Sequence, residues 1–478
     1  MTVTADTSPI RTLAIVGDGL AAWLAAAHLS VHLPDTIKIT VVGGDTSAPM
    51  DALYGAVLPP EFYDAHTAIG VTEPELILET GTAFALGTAI ENWGTAARSW
   101  VQPFHLPLPV TEGVPFHTLV AQRPDDSLQS YLVSAAAARA GRFVHPPQDP
   151  ANPMSRAEYG YLIDPAEIAE RYRRAARNVL TVPGKVATVE RDGDTVGSIT
   201  TDGGDVVTAD LFIDASGPHS ALLDAPTPTR TIDFRITTSP TTSATHPLAR
   251  IRAGENGFSA LTATRRTQTQ LDIAAGTDGE HTVPVFQREA AWVGNVVSLG
   301  QTACTVEPLT VAPMRLLLRD VLRIAELFPI STDMAVERRT YNAEARDDQD
   351  HALMFHHAHF ADLDLPDAPY FRDAACERSA KLDRKLAQYA ARAYLVAYDN
   401  EPFYPVDWAV LHDGLGRRPA RADRLAQQAD PARVEARLSA MRAAVSAVVP
   451  KMPPHPVYLA RLGDYLARKH KAGASHVA

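Results

Sequence analysis

A glycine-rich corner near the start of the chain has the residue types and spacing that hold phosphate groups in nucleotide-binding proteins. The stretch LAIVGDGLAAWLAAAHLS, residues 13–30, contains an apolar run, the corner GDGLAA and an alanine-rich run. A Gly-x-Gly-x-x-Gly/Ala corner lets the backbone approach a pyrophosphate, which then accepts hydrogen bonds at the N-terminus of the following helix. The predicted contacts are Gly17, Gly19, Leu20, Ala21 and Ala22. The same pattern also fits a tight strand–helix turn that holds no ligand.

The elements predicted around the corner are those that such a site requires. An apolar run predicts a buried strand at 12–16, a helix follows at 19–32, and TIKITVV predicts a second strand at 36–42. Asp18 lies within the corner, and we expect its carboxylate to point to solvent, because facing inward it would repel a phosphate. The sequence therefore predicts a βαβ unit with the corner at its first turn.

Two further regions differ in their periodicity. Residues 185–216 contain β-type runs separated by Asp-Gly and Gly-Gly corners, which predicts consecutive hairpins. Helical periodicity dominates after Glu307. Amphipathic helices are predicted at 313–328, 375–396 and 431–448. We therefore predict a module at 1–330 with an inserted, substrate-facing sheet, and a helical subdomain at 331–478 that packs on it as a cap.

Composition excludes several classes of function. The chain has 478 residues with 44 basic and 56 acidic side chains, a net charge of −12. Binding to nucleic acid of any sequence requires phosphate-neutralising Lys and Arg, so we expect no nucleic-acid partner. With only Cys304 and Cys376, the chain has neither a disulfide framework nor a four-cysteine metal site. The histidines of HALMFHHAHF, residues 351–360, lack the i, i+4 spacing of a helical zinc site, so no metal is predicted.

The sequence shows no targeting or membrane segment. Its start, MTVTADTSPIRT, lacks a charged region followed by an apolar core, and the longest apolar run is too short to span a bilayer. We therefore expect a cytoplasmic protein without a membrane partner. A homodimer is left open.

Short motifs along most of the chain follow the order and spacing of one known family. They are GDGLAAW at 17–23, AIENWG at 89–94, QPF at 102–104, GVPFH at 113–117, DLFIDASG at 210–217, WVGNVVSLG at 292–300, EPL at 307–309, LFP at 327–329, YN at 341–342 and DAPYF at 367–371. By these motifs the chain resembles the flavin-dependent tryptophan halogenases, which belong to the flavin monooxygenases with a hydroxybenzoate-hydroxylase-like, GR2-type fold. The resemblance implies a mixed α/β (α+β) fold, FAD as cofactor, O2 and a small aromatic molecule as substrates, and a separate flavin reductase.

The resemblance also implies further flavin contacts and one departure from them. DLFIDASG is similar to the strand whose end, at Asp214 and Gly217, returns to the dinucleotide, and Gly300 ends another shared motif. The acidic residue that accepts the ribose hydroxyls in this family is replaced by Gly43. We expect Asp45, two residues further on, to substitute for it.

Four features that the family uses for halogenation are absent from this sequence. The catalytic lysine position is Ala85, and the glutamate position is Thr310. The Thr-Gly pair that supplies backbone donors to the halide is Ala312-Pro313, and proline has no N–H to donate. The two tryptophans of the Trp-x-Trp-x-Ile-Pro motif, expected near 257–266, are missing. The sequence therefore names no catalytic residue.

The function predicted from these residues is a FAD-dependent oxidoreductase that transfers oxygen, by reduced flavin and O2, to a bulky aromatic molecule. Halogenation by the usual route is not expected. Two alternatives remain open: a halogenase with relocated catalytic residues, and a non-catalytic flavin-binding partner subunit. Glu307, in the EPL motif, is expected to have a structural role at a helix start, where a carboxylate suits the helix dipole.

Overall fold

Alternating strands and helices at the start of the chain build the sheet that carries the glycine-rich corner. The computed structural model describes residues 8–44, 48–104, 108–242, 245–276 and 279–474. In chain order the strands are β1 (Thr12–Val16), β2 (Lys38–Gly43), β3 (Val57–Leu58), β4 (Ala83–Ala85), β5 (Gly87–Trp93), β6 (Arg98–Pro103), β7 (Val110–Thr111), β8 (Val114–Pro115), β9 (Gly160–Leu162), β10 (Val179–Pro183), β11 (Val186–Asp192), β12 (Thr195–Thr201), β13 (Val206–Val207), β14 (Leu211–Asp214), β15 (Arg230–Pro240), β16 (Ala249–Ala253), β17 (Gly257–Ala263), β18 (Thr267–Ala274), β19 (His281–Val285), β20 (Trp292–Val293) and β21 (Val296–Ser298).

The helices are interspersed among these strands and dominate the C-terminal third of the chain. They are α1 (Leu20–His32), α2 (Ala48–Asp51), α3 (Phe62–Ala68), α4 (Glu73–Glu79), α5 (Phe116–Ala121), α6 (Val133–Arg139), α7 (Pro165–Ala175), α8 (Ala312–Glu326), α9 (Ala335–His357), α10 (Pro369–Cys376), α11 (Ala380–Arg392), α12 (Pro405–Gly414), α13 (Arg424–Gln428), α14 (Pro431–Val448) and α15 (His455–Ala474). None of the helices in the described ranges combines the length and apolarity needed to cross a bilayer.

The first sheet has six strands in the order β10-β2-β1-β14-β21-β20, parallel except for β20. Val16 pairs with Val42 on one side and Asp214 on the other, so the carboxyl ends of three strands meet at one edge. Ligands of open α/β sheets bind at this edge. Helix α1 contacts α7 and α8, and its small alanine side chains allow this close packing on several sides. The predicted βαβ unit is confirmed.

The second sheet has seven strands in the order β19-β15-β18-β17-β16-β5-β6 and is antiparallel except for the β16–β5 pair. The smaller sheets have the strand orders β11-β12-β13, β3-β9-β4 and β7-β8. The predicted hairpins of 185–216 are present in β11, β12 and β13, but β14 is different. It is a central strand of the first sheet and pairs in parallel with β1, because its sequence LFID is buried on both faces.

The C-terminal helices share one hydrophobic core with the first sheet, running from Ile10 to Leu459. The predicted helix at 375–396 is two helices, since α10 ends at Cys376 and α11 begins at Ala380. Ser379 explains the new start: its side chain accepts a hydrogen bond from the backbone N–H of Leu382 at 3.2 Å and caps α11.

Candidate functional site

The glycine-rich corner is built by close contact between two strand ends. Gly17 has φ +133°, and a Cβ at this position would lie 2.5 Å from the carbonyl oxygen of Ala215. A side chain therefore cannot stand here, and the loop after β14 lies directly against the corner. The backbone N–H of Gly17 donates to Val42 at 2.8 Å, which joins the corner to the end of β2.

The predicted flavin contacts at the ends of β14 and β21 are Asp214, Gly217 and Gly300. They lie next to the corner. Asp214 is fully buried and accepts hydrogen bonds from Ser220 Oγ at 2.7 Å and from the backbone N–H of Leu222 at 2.9 Å. Its carboxylate therefore organises the loop that follows β14. Thr302, in the turn that begins at Gly300, donates to the carbonyl of Gly217 at 3.2 Å. We call the space bounded by residues 17–22, 217 and 300 the cleft.

A carboxylate of the same chain lies at the N-terminus of α1. Asp51 Oδ2 accepts the backbone N–H of Leu20 at 2.9 Å, and the side chain is 6% exposed. Burial raises the pKa of Asp51 to about 7, and the neighbouring carboxylate of Asp18 adds to the rise. The N–H group that a phosphate would use is thus already bonded to a negative or readily protonated group of the protein.

Asp18, which was expected to point to solvent, is partly exposed and also hydrogen-bonded within the protein. Trp23 Nε1 donates to Asp18 Oδ1 at 2.9 Å, so the carboxylate is held over the first turn of α1. This position also explains the glycine at the end of β2. A Cβ on Gly43 would lie 2.5 Å from Asp18 Cβ and 2.8 Å from the Gly17 carbonyl oxygen, which leaves no room for an acidic side chain there. Asp45, the predicted substitute, lies outside the described residues.

The far end of the cleft is also occupied by residues near Asp51. The backbone N–H of Gln301 donates to Tyr54 Oη at 3.2 Å, and its side-chain amide donates to the carbonyl of Met50 at 2.9 Å. The backbone of Gly300 hydrogen-bonds to the buried Asp320, whose pKa burial raises to about 7. Residues 48–54, which we call the crossing segment, therefore lie across the cleft from the corner to the turn at Gly300.

The cleft has the frame of a dinucleotide site, but its residues do not fit a bound flavin while the crossing segment is in this position. The backbone donors at Leu20 and Gln301 are bonded to Asp51 and Tyr54. What remains open is a crevice of about 200 Å³ at the ends of β1, β2 and β10, with Lys185 on its wall. Of the predicted flavin contacts that the structure describes, only Gly17 lines this crevice.

The structure leaves little open space at the two positions where the family has its lysine and its glutamate. Ala85 ends β4 and is completely buried. Thr310 Oγ1 accepts the backbone N–H of Ala312 at 3.2 Å, and two voids of about 30 Å³ each lie beside the 308–311 segment. Among the described residues that line these voids, none is a lysine. Arg315 lines one of the voids, and its guanidinium pairs with Glu61 at 3.0 Å.

Contrary to our expectation, Glu307 does not lie at a helix start, because α8 begins only at Ala312. Glu307 is 1% exposed and pairs with Arg230 and, at 3.3 Å, with His356 Nε2. The sequence motif did not reveal these partners, because they lie far from Glu307 along the chain. The first seven residues of HALMFHHAHF form the end of α9, and the last three follow the helix. No metal-binding group of three or more His, Cys, Asp or Glu side chains occurs in the described part of the chain.

A cavity of about 680 Å³ lies beside the start of α12. Its lining includes His117, Tyr394 and Tyr404. A second cavity of about 490 Å³ lies beside α9 and includes His357 and Glu377, whose side chains pair at 3.0 Å. Each cavity is lined by segments that are distant in sequence, so the sequence does not show which side chains face it.

Comparison with known proteins agrees with this fold. A tryptophan halogenase family model matches residues 12–245 and 251–431. The tryptophan 6-halogenase ThaL of Streptomyces albogriseolus is 25% identical over 430 residues, covering 76% of this chain and 78% of that protein. The tryptophan 7-halogenase RebH of Lentzea aerocolonigenes is 24% identical over 426 residues, with coverage of 76% and 78%.

Solved structures of similar proteins superpose over nearly the whole chain. BrvH, a flavin-dependent halogenase from Brevundimonas sp. BAL3, has a TM-score of 0.85 at 24% identity and covers 95% of this chain and 99% of its own. Xcc4156, a flavin-dependent halogenase from Xanthomonas campestris, also has a TM-score of 0.85, at 22% identity with coverage of 95% and 98%. These likenesses confirm the predicted fold class. Because the family model matches most of its length, the chain belongs to the tryptophan halogenase family.

Proposed function

We propose that the protein is a FAD-dependent oxidoreductase of the monooxygenase type that acts on a bulky aromatic molecule, without lysine-directed halogenation. Membership of a family with flavin-dependent members supports the cofactor. The observation that carries the rest is the pair of substitutions at Ala85 and Thr310. A methyl group cannot hold an oxidised halogen, and a neutral hydroxyl stabilises a cationic arene far less than a carboxylate does.

Gly19 supports a cofactor at the corner. Its backbone has φ −103° and ψ −167°, an extended conformation that any residue adopts. Backbone geometry therefore does not require glycine at this position. Gly19 is buried, so close approach of a ligand or of neighbouring protein atoms is the reason that remains for a residue without a side chain.

The cavity of about 680 Å³ is the proposed chamber for the aromatic substrate. Tyr394, Tyr404 and His117 offer ring faces against which an aromatic molecule can stack. Phe403 lines the void beside Thr310, whereas its neighbour Tyr404 lines the cavity. The segment that begins α12 thus separates the chamber from Thr310 and would have to move to let substrate through.

The electrons would come from outside this chain. The sequence has no fingerprint for a second dinucleotide, which supports reduction of the flavin by a separate reductase. A bound reduced flavin supplies the electrons that O2 activation requires. A cytoplasmic location remains a prediction, and a homodimer remains open.

The test combines binding and turnover. Purified protein is titrated with oxidised and reduced FAD while the flavin spectrum is recorded, and is then assayed with a flavin reductase, NADH and a panel of electron-rich arenes. We expect saturable FAD binding and O2-dependent oxygenated products whose yield does not change with bromide. Regioselective bromination that survives a hypohalite scavenger would instead establish the halogenase alternative.

A non-catalytic flavin-binding subunit is the second candidate. The two voids of about 30 Å³ beside Thr310 favour it, because neither can hold an aromatic ring in this arrangement. In the same assay this candidate predicts FAD binding with no product from any arene.

A further inference from the structure

We infer that the crossing segment is a built-in competitor of the dinucleotide and that Asp51 is the group that FAD must displace. The inference rests on the proposed function, because it assumes that the cleft is a place where FAD binds. Two contacts, at opposite ends of the cleft, carry it.

The first contact places a carboxylate where a phosphate would bind. Helix N-termini bind phosphates because free N–H groups and the helix dipole favour negative charge. Asp51 Oδ2 accepts the Leu20 N–H at 2.9 Å and is buried in that position. Asp51 thus satisfies the same donor as a pyrophosphate oxygen and, when it is ionised, has the same sign of charge. Asp51 and a phosphate oxygen cannot both occupy this place.

The second contact holds the other end of the crossing segment. Tyr54 is 4% exposed and accepts the backbone N–H of Gln301 at 3.2 Å. A Cβ on Gly300 would overlap the Tyr54 hydroxyl, so the tyrosine packs directly on a predicted flavin contact. Met50, between the two ends, lies 3.8 Å from where a Cβ on Gly217 would be. The segment therefore touches three of the predicted contact regions at once.

The charges in the cleft favour displacement over simultaneous binding. Asp18, Asp51 and Asp320 approach the cleft from the corner, the crossing segment and α8. Arg323 pairs with Asp320 at 3.0 Å, whereas the pyrophosphate of FAD would add two negative charges close to Asp51. Moving Asp51 away removes both the steric conflict and one repulsive charge.

A competitor and a ligand contact predict opposite effects of the same substitution. If Asp51 contacted the flavin directly, Asp51→Ala would weaken binding. If Asp51 competes with it, Asp51→Ala frees the Leu20 N–H and should tighten binding about tenfold, since a hydrogen bond to a charged group no longer has to be broken. Asp51→Asn keeps an acceptor but removes the charge, so we expect a smaller gain.

The experiment measures the Kd of FAD and of ADP for the full-length wild type, Asp51→Ala and Asp51→Asn. ADP contains the pyrophosphate without the isoalloxazine ring. The matched control is Asp430→Ala, which also removes a helix-capping carboxylate that accepts a backbone N–H at 2.9 Å, but at the start of α14. Hydrogen exchange of peptides covering residues 48–54 is followed in the wild type with and without each ligand.

Tighter FAD and ADP binding by Asp51→Ala but not by Asp430→Ala, with faster exchange in the crossing segment of the ligand-bound wild type, would support the inference. Equal or weaker binding by Asp51→Ala, or exchange that slows on ligand binding, would overturn it. If no protein binds FAD but Asp51→Ala binds ADP more tightly than the wild type, the proposed function fails while the competition at the corner stands. If Asp51→Ala does not fold, Asp51→Asn and the wild-type exchange decide between these outcomes.

Discussion

The first turns of α1 and α8 are the two corners that the family resemblance assigns to phosphate and to halide, and they have lost their free backbone donors in different ways. At α1 the Leu20 N–H is present but is bonded to Asp51, 31 residues further along the chain. At α8 the N–H of Pro313 does not exist, and that of Ala312 donates to Thr310 at 3.2 Å. At α1 the donor is still present but is occupied. At α8 the donor is missing from the covalent structure.

This difference indicates which function the chain could regain. Moving one side chain would return the donor at α1 to a phosphate, so the corner keeps its capacity to bind an anion. Moving a side chain cannot return a donor at Pro313. We therefore expect experiments at the α1 corner to change ligand binding strongly, and single substitutions on the α8 side to change little.

The largest effect is expected at Gly19. Gly19→Val should abolish FAD binding, because a branched side chain would fill the space of the pyrophosphate. Its extended backbone suits valine but the position is buried, so circular dichroism and thermal unfolding must first establish that the variant is folded. FAD affinity is measured by quenching of flavin fluorescence. Unchanged affinity in a folded variant would place the flavin elsewhere and remove the contrast between the two corners.

Gly17 should matter for the fold itself. Gly17→Ala places a Cβ 2.5 Å from the Ala215 carbonyl oxygen at φ +133°, and we expect a loss of about 3 kcal/mol in the free energy of unfolding. Gly193→Ala is the matched control: its φ is +58° and no atom lies within 4 Å of its Cβ position, so about 1 kcal/mol is expected. Urea unfolding of both variants gives the two values. Equal losses would mean that the corner has room for a side chain.

Asp51 should make stability depend on pH at the α1 corner. Its pKa is raised from 3.8 to about 7 in the folded protein, so the folded state binds more protons than the unfolded state between these values. Stability therefore falls as pH rises from about 4 to 7. Asp51→Asn removes this loss and should stabilise the protein by about 2 kcal/mol at pH 8, with little effect at pH 4.

Urea unfolding of wild type and Asp51→Asn at the two pH values checks this expectation. Asp320 also has a pKa of about 7 and contributes a similar slope to both proteins, so the difference between them isolates Asp51. If Asp51→Asn destabilised the protein at pH 8, the expectation would be contradicted. The ionised carboxylate would then stabilise the N-terminus of α1 instead of lowering the stability of the protein.

The sequence predicts the strands and helices around the cleft better than it predicts the side chains that lie in the cleft. The βαβ unit follows from local patterns, an apolar run, a glycine corner and an alanine-rich helix, and its bounds agree with β1, α1 and β2 to within two residues. The role of β14 as a central parallel strand required the family resemblance, because its local pattern also fits a hairpin. The break between α10 and α11 depends on the cap at Ser379, a signal that the sequence does contain.

Asp51, Tyr54 and Arg230 could not be predicted as site residues, because each acts on a partner far away in the chain. Asp51 caps a helix that begins 31 residues earlier, and Tyr54 reaches Gln301 across the cleft. Capping patterns in a sequence describe neighbours within a few residues, so neither contact leaves a local trace. The absence of a lysine at Ala85 was visible at once, since it needs only the identity of one residue.

The smallest effect is expected from restoring that lysine. Ala85→Lys alone should yield no halogenated product in the assay with reductase, FAD, NADH, bromide and electron-rich arenes, read by mass spectrometry. Positioning in catalysis tolerates errors of only about an ångström, and the new amine would still lack the carboxylate that Thr310 replaces and the halide donor that Pro313 removes. Ala85 is also completely buried, so the longer side chain should lower the free energy of unfolding. Enzyme-dependent, regioselective bromination by this single variant would contradict this expectation. It would show that the halogenation function is as easily restored as the donor at the α1 corner, so the distinction between an occupied site and a lost one would no longer hold.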